Sequence, residues 1–203
     1  MSRPRLILAS ASPRRAELLR EHGYDFTVIA SPLAEPVGFA EEISPVERAQ
    51  SSSYFKAKGV AERVAEGWVL AADTIAALGD HVFGKPVDRD DARSILQSLS
   101  DTTHQVITGV TLLDASSGIR LIRHDSTHVT MRRLRELEIE DYLDSGAWEG
   151  KAGAYGIQDK GDAFVERIAG SFTNVVGLPM ELVAAMLDEF AQTVLSEAKH
   201  LVR

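Results

Sequence analysis

Hydrophobic and polar positions along the chain predict short buried strands separated by amphipathic helices. Residues 6–9 and 68–72 are apolar at every position, which is typical of strands buried on both faces. Residues 119–131 alternate in part with the two-residue period of a strand that has one exposed face. The pattern predicts strands over residues 6–9, 26–30, 68–72, 106–113, 119–131 and 163–168, with a hairpin over 75–83 that turns at Gly79-Asp80.

Helix start signals precede several of the remaining apolar stretches. Ser12 is followed by Pro13 and Ser44 by Pro45, and Glu47 completes the spacing of a capping box. These and similar signals predict helices over residues 13–22, 45–65, 88–99 and 136–143 and from 179 onward, with loops over 31–38 and 146–161. Helices and strands that mix without strict alternation favour the α/β class with a mixed sheet.

Length and composition narrow the classes of protein to consider. The chain has 203 residues, a net charge of −8 and no cysteine. This length predicts one domain over residues 1–203, and the absence of cysteine excludes disulfides, cysteine-ligated zinc and a thiol nucleophile. The acidic charge argues against stable nucleic-acid binding, and the apolar runs are too short for a membrane span or a signal peptide. We therefore expect a cytoplasmic protein that does not bind membranes.

The first candidate for chemistry lies between the first predicted strand and helix. Ser10 and Ser12 supply hydroxyl groups, Arg14 and Arg15 supply guanidinium groups, and the helix start supplies unpaired backbone amides. Together these groups are typical of an anion-binding turn. The alternative is an ordinary helix cap, with a capping Ser12 hydroxyl followed by two solvated arginines.

Two further candidates follow later strands. Asp73-Thr74 comes directly after the predicted strand 68–72, where α/β proteins place ligands, so its carboxylate could hold Mg²⁺ or orient a water molecule. The alternative is a strand-ending Asp that bonds its own turn. Lys85 stands between Gly84 and Pro86, which indicates either a rigidly positioned cation or an ordinary turn, because the spacing of a phosphate-binding P-loop is absent.

The last candidate is the glycine-rich segment 151–158. Small residues around Tyr155 allow a planar ligand to approach the backbone, and Gln158 offers both donors and an acceptor to the edge of a base. The alternative is a tight loop whose tyrosine fills the core.

These motifs, in this order, resemble the Maf family of nucleoside triphosphate pyrophosphatases. The resemblance extends from residue 6 to 182 and rests on residues 8–15, 72–74, 84–86, 151–158 and 174–179. It implies a single elongated α/β domain of the Maf/inosine-triphosphatase-like type, in which helices flank a mixed sheet and two lobes surround a central cleft. It also implies hydrolysis between the α- and β-phosphates, giving a nucleoside monophosphate and pyrophosphate.

The resemblance is closest to the dTTP/UTP pyrophosphatase subfamily, and it assigns roles to individual residues. The specificity positions of that subfamily fall on Arg14, Thr74 and Gln158, and the proposed proton acceptor falls on Asp73. The implied phosphate-binding groups are Ser10, Ser12, Arg15, Lys56 and Lys85, and the implied ligands of a divalent cation, Mg²⁺ or Mn²⁺, are Glu35 and Asp73.

Two other functions stay open at this stage. One is a Maf-type pyrophosphatase for 7-methyl-GTP or other modified nucleotides, and the other is a non-catalytic nucleotide-binding regulator of septum formation. The family resemblance further implies a homodimer. This chain departs from many relatives at Gly150, where an acidic residue is common.

Overall fold

One mixed sheet of seven strands organises the computed structural model, which describes residues 5–32, 43–158 and 163–200. The strands are β1 (Leu6–Leu8), β2 (Phe26–Val28), β3 (Trp68–Leu78), β4 (His81–Phe83), β5 (Thr103–Asp114), β6 (Arg120–Met131) and β7 (Val165–Ala169). The helices are α1 (Pro13–Glu21), α2 (Pro45–Ala61), α3 (Arg89–Leu99), α4 (Glu136–Asp144), α5 (Phe172–Val176) and α6 (Met180–His200), and a 3₁₀ turn covers Ala152–Ala154. The order is β2-β1-β3-β5-β6-β7, and β4 pairs with β3.

The two faces of the sheet pack against different helices. Strand β1 runs parallel to β2 and β3, whereas the other pairings are antiparallel. On one face, Ile7 and Val69 share a core with Ala57 of α2. On the other, Leu8 and Leu70 belong to the larger core that α1, α3, α4 and α6 complete. Because successive strand residues point to opposite faces, sequence neighbours in β3 serve different sides of the molecule.

Strand β3 is longer than the hydrophobic pattern predicts. The apolar run indicated residues 68–72, but the strand continues to Leu78 because β5 pairs with it over ten consecutive residues. Asp73 and Thr74 therefore lie in the middle of β3. The expectation that they follow the end of a strand, or form a turn there, is wrong.

Helix α2 approaches the sheet closely at Gly109 of β5. A Cβ atom at this position would lie 2.3 Å from the backbone of Ala49, so only glycine permits the contact. Gly109 is the register partner of Asp73, and the close approach holds α2 and its Lys56 against this part of β3. Helix α2 begins as predicted, with the capping box of Ser44, near the same end as Ala49.

Most of the predicted helices and strands are confirmed, with a few differences. Helix α2 ends at Ala61 rather than at residue 65, and α5 was not predicted because five residues show too little of a helical period. Most of the predicted loop 31–38 lies in the segment 33–42, outside the described residues. Within the described part of the chain, no helix has the length and apolarity needed to cross a bilayer. One domain over residues 1–203 stays a prediction.

Candidate active site

A cleft of about 590 Å³ lies over the ends of β1 and α1. It is bordered by the β1–α1 turn, by Thr74 of β3, by Lys56 of α2 and by Lys85 after β4. Segments 149–152, 155–158 and 175–177 complete its lining. The volume falls within the range of about 300–1,000 Å³ that is usual for small-molecule sites.

The β1–α1 turn contributes hydroxyl groups and a helix N-terminus. Ser10 is buried, and its Oγ accepts a hydrogen bond of 3.2 Å from the amide of Ser12. Ser12 occupies the N-cap position, and Pro13 is the first residue of α1, as predicted. The Ser12 hydroxyl, however, makes no capping hydrogen bond to the helix, so the expected capping role of this side chain is wrong. Both residues line the cleft.

Arg15 joins three parts of the structure at the cleft. Its Nε donates to the Gly177 carbonyl at 2.8 Å, and its Nη1 donates to the Ala72 carbonyl at 2.8 Å and to Ser10 Oγ at 3.2 Å. Its Nη2 donates to Thr74 Oγ1 at 3.0 Å. These four acceptors are all neutral oxygens, and together they fix the plane of the guanidinium group. The alternative of a solvated arginine is wrong for this residue.

Asp73 and Thr74 point to opposite faces of β3. Thr74 lines the cleft beside Arg15, whereas Asp73 is buried on the α2 side, where its carboxylate forms an ion pair with the Lys56 ammonium. Lys56 itself lines the cleft. Among the described residues, Asp73 therefore reaches the cleft through Lys56 rather than by lining it.

The segment after the 3₁₀ turn forms the side of the cleft opposite α1. The amide of Gly153, at φ +73°, donates to the Gly84 carbonyl at 3.1 Å and so ties this segment to the turn that carries Lys85. Tyr155 is buried, which confirms the alternative that it fills the core, and it also lines the cleft. Gln158 is exposed at the cleft rim, where a ligand can meet its amide.

A buried histidine forms a hydrogen bond with Tyr155 of this segment. His104 of β5 is 1% exposed, and its Nε2 lies 2.7 Å from Tyr155 Oη. Burial lowers the pKa of His104 to about 4 and raises the pKa of Tyr155, so both are neutral near pH 7. His104 Nδ1 has no hydrogen-bond partner among the described residues. Proteins tolerate a buried acceptor without a hydrogen bond more often than a buried N–H without one. We therefore assign the ring hydrogen to Nε2, which donates to Tyr155 Oη.

The lining of the cleft is strongly positive although the chain is acidic. Among the described residues, the cationic side chains of the lining are Arg14, Arg15, Lys56, Lys85 and Lys151, and the acidic side chain is Glu149. In this described part of the lining, five cations against one carboxylate contrast with the overall charge of −8. Focused positive charge of this kind attracts polyanions such as phosphates.

The carboxylates of the site do not form a preformed metal cage. In the described ranges, no group of three or more His, Asp or Glu side chains could hold a metal ion. Glu35 lies in the segment 33–42, outside the described residues. Mg²⁺ often takes only one or two protein carboxylates and completes its shell with water and substrate phosphates. Asp73 could hold such a metal, carried in large part by the substrate, once its carboxylate is released from Lys56.

The structure brings most of the predicted site residues together. Those that line the cleft are Ser10, Ser12, Arg14, Arg15, Lys56, Thr74, Lys85 and Gln158. Sequence reasoning did not assign Glu149, Lys151 or Gly177, which line it as well. Lys151 belongs to a motif that had been singled out, but nothing in the local pattern distinguishes Glu149 from a solvated surface residue.

The fold and the site together define a class of protein. A mixed α/β sheet with a cation-lined cleft at the end of a strand and the start of a helix is an anion-binding α/β protein, with a cavity of nucleotide size. The family described as Maf-like protein matches residues 5–190, and the chain belongs to this family.

Curated relatives match nearly the full length of the chain. A dTTP/UTP pyrophosphatase of Ruminiclostridium cellulolyticum is 40% identical over 94% of this chain and 98% of its own. Proteins of the same name from Alkaliphilus metalliredigens and Pelotomaculum thermopropionicum are 44% and 39% identical, and they cover 87% and 94% of this chain and 91% and 98% of their own. A solved HAM1 protein from Coxiella burnetii gives a TM-score of 0.45 at 18% identity, over 64% of this chain and 74% of that one.

Proposed function

We propose that this chain is a nucleoside triphosphate pyrophosphatase that hydrolyses dTTP and UTP to the monophosphate and pyrophosphate. The observation that carries the proposal is the cleft of five cations in a chain of charge −8. A triphosphate carries roughly four negative charges at neutral pH, and this cleft supplies matching cations in a local pocket. Relatives about 40% identical over nearly the whole chain bear the name dTTP/UTP pyrophosphatase.

The polyphosphate binds along the β1–α1 turn in this proposal. Arg15 lines the cleft and is held in place by backbone carbonyl groups, so its guanidinium charge is positioned beside a bound phosphate. Lys56 and Lys85 extend the positive lining beyond the turn. Ser10 and Ser12 complete the turn with hydroxyl and amide groups. Together these groups stabilise the charge that develops on the pyrophosphate leaving group.

Asp73 is the proposed base. A water oxygen attacks the α-phosphorus, the bond from that phosphorus to the bridging oxygen breaks, and the water proton passes to an Asp73 carboxylate oxygen. Lys56 now holds Oδ1 of this carboxylate. A bound polyphosphate offers the ammonium a second anion within the cleft, so Lys56 turns toward it and exposes Asp73. Asp73 and Glu35 would hold a divalent cation, Mg²⁺ or Mn²⁺, which neutralises phosphate charge when it is bound.

The base of the nucleotide lies toward Gln158. The exposed amide of Gln158 can both donate to and accept from a pyrimidine edge. Arg14 and Thr74 shape the pocket on the opposite side. Modified pyrimidine nucleotides with the same hydrogen-bonding edge fit this arrangement as well.

The proposal is tested by pyrophosphate release from purified protein. UTP, dTTP, CTP, ATP and 7-methyl-GTP are each supplied with Mg²⁺ or Mn²⁺, and with EDTA as the control. We expect release from UTP and dTTP that requires the metal. A preference for 7-methyl-GTP would transfer the assignment to modified purines, and binding without release would favour a regulatory protein.

Three further properties belong to the same proposal. We infer a cytoplasmic enzyme that acts on free nucleotides, because its acidic charge disfavours nucleic acid. We also infer a homodimer, as in the family it resembles. Light scattering of the purified chain tests the dimer, and a single-chain mass at micromolar concentration would contradict it.

A further inference from the structure

A chain of buried hydroxyl groups lies directly behind the cleft. Thr74 of β3 and Thr108 of β5 are register partners, and their Oγ1 atoms are 2.9 Å apart. Thr108 is completely buried and does not line the cleft, whereas Thr74 does. Thr108 can therefore influence a bound ligand only through the residues that it holds.

The Thr74 hydroxyl connects Arg15 to Thr108. Arg15 Nη2 donates to Thr74 Oγ1 at 3.0 Å, and the Oγ1 atoms of Thr74 and Thr108 are 2.9 Å apart, where either can be the donor. If Thr74 donates, the Thr108 proton reaches the Asn174 carbonyl at 3.4 Å. If Thr108 donates, the Thr74 proton reaches the Gly177 carbonyl at 3.3 Å. In both directions the Thr108 hydroxyl is bonded to the oxygen that accepts from Arg15.

Helix α5 fixes the far end of this chain. Asn174 is completely buried, and its Nδ2 donates to the Val106 carbonyl at 2.9 Å and to Thr127 Oγ1 at 3.0 Å. These bonds attach α5 to β5 and β6. Helix α5 ends at Val176, and it is followed by Gly177, whose φ of +128° favours glycine. The Gly177 carbonyl accepts from Arg15 Nε at 2.8 Å. The arginine is therefore held from both ends of one connected network.

We propose that Thr108 is a positioning residue for nucleotide binding, which acts through Thr74 and Arg15. This inference rests on the proposed function, because it assigns a role within the same site. Without the Thr108 hydroxyl, the Thr74 hydroxyl is left with the longer Gly177 contact, so the oxygen that accepts from Arg15 Nη2 is held less firmly. The cleft then keeps its charge but loses the alignment of that charge with the phosphates and the base.

The test compares Thr108→Val with Thr108→Ser. Valine keeps the branched shape in a strand but removes the hydroxyl, whereas serine keeps the hydroxyl and removes a methyl group. Loss of one buried hydrogen bond of this kind is expected to lower kcat/KM for UTP about tenfold in T108V. The loss appears mainly as a higher KM, because the aligned groups contact the bound nucleotide. T108S is expected to stay within about twofold of the unsubstituted protein. Thr108→Ala is the second variant if valine does not fit.

Thr111 provides a matched control on the same strand. It is also completely buried, and its Oγ1 lies 2.8 Å from Ser53 Oγ, but it faces α2 instead of the cleft. Thr111→Val removes a comparable hydroxyl pair, so we expect a similar fall in Tm with unchanged KM for UTP. If T108V and T111V lose stability alike and T108V keeps its KM, Thr108 is only structural and the proposal is overturned.

A binding measurement separates this inference from the proposed function. Calorimetry with α,β-methylene-UTP and Mg²⁺ gives a Kd that does not depend on hydrolysis. If the unsubstituted protein binds this analogue but releases no pyrophosphate from UTP, the proposed function fails. The weaker Kd expected for T108V relative to T108S then still supports the positioning role, and equal Kd values refute it. If the unsubstituted protein neither binds nor hydrolyses, both proposals are wrong.

Discussion

Arginines in two regions of this molecule, the α3–α4 surface and the cleft, contact different kinds of group. Arg93 of α3 donates to both carboxylate oxygens of Glu140 of α4, at 2.6 and 2.9 Å, and Arg89 donates to the same carboxylate at 2.8 Å. Arg15 in the cleft instead donates to neutral carbonyl and hydroxyl oxygens. The first arrangement pairs opposite charges between α3 and α4, and the second fixes a guanidinium group against the backbone at the cleft.

The arginine partners of Glu140 change its pKa. Hydrogen bonds from Arg93 and Arg89 lower the pKa of Glu140 to about 2. The Glu140 carboxylate therefore stays ionised at neutral and moderately acidic pH. Its charge is already compensated within the protein. The sequence shows neither the carboxylate partners of Arg89 and Arg93 nor the carbonyl and hydroxyl partners of Arg15.

The largest expected effect is at Asp73, the carboxylate behind the cleft. Asp73→Asn keeps the shape of the side chain but removes the base and the negative charge beside Lys56. We expect kcat for UTP to fall by at least ~100-fold with the fold retained, as measured by pyrophosphate release and circular dichroism. Asp144→Asn in the surface network is the control. Turnover of D73N near that of the unsubstituted protein would remove Asp73 from the mechanism.

The next prediction compares Arg15 of the cleft with Arg93 of the α3–α4 surface. Arg15→Lys keeps the positive charge but cannot span the acceptors on β3 and after α5, because an ammonium group lacks the planar fork of the guanidinium. We expect kcat/KM for UTP to fall by about tenfold to a hundredfold. Arg93→Lys is the matched substitution, and we expect it to leave kcat/KM unchanged. Equal changes of kcat/KM in the two variants would show that the different partners of Arg15 and Arg93 do not affect activity.

A smaller effect concerns the base end of the cleft. Gln158→Glu replaces the donor groups of the amide with a carboxylate that only accepts, so we expect the preference for UTP over other nucleotides to weaken by about tenfold. The measurement is kcat/KM for each nucleotide of the panel on both proteins. An unchanged rank order would exclude Gln158 from reading the base.

The pH dependence of stability tests the buried state of His104, the partner of Tyr155. The pKa of His104 is lowered to about 4 by burial, so between pH 6.5 and 4 the unfolded chain binds a proton that the folded chain does not. The free energy of unfolding should therefore fall as pH falls through this window, by up to about 1.4 kcal/mol per pH unit. His104→Gln should flatten this slope, and the exposed His128→Gln should not. Thermal melting at several pH values from 4.5 to 7 checks this, and equal slopes in all three proteins would contradict it.

The smallest effect is expected in the surface network. Glu140→Gln removes the shared acceptor of Arg89 and Arg93 without touching the cleft. Exposed ion pairs contribute little, so we expect Tm to fall by a few degrees at most and kcat/KM to stay unchanged. A clear loss of activity would show that the α3–α4 network supports the site after all.

The sequence by itself determined most of the element types and identified most of the described polar side chains that line the cleft. Periodicity and caps are local properties, so the helix that starts at Pro13 and the capping box of Ser44 were predictable. The hydroxyls and arginines of residues 10–15 were likewise recognisable as an anion-binding motif. Glu35 and a bound cation stay predictions.

Only the tertiary structure decided how these groups face one another. Strand β3 continues past residue 72 because β5 pairs with it, and the alternation of strand residues then sends Asp73 to the α2 face and Thr74 to the cleft. The neutral acceptors of Arg15 come from segments up to 162 positions away in the chain. How each cation of the cleft is held depends on such distant partners, and no local sequence pattern contains that information.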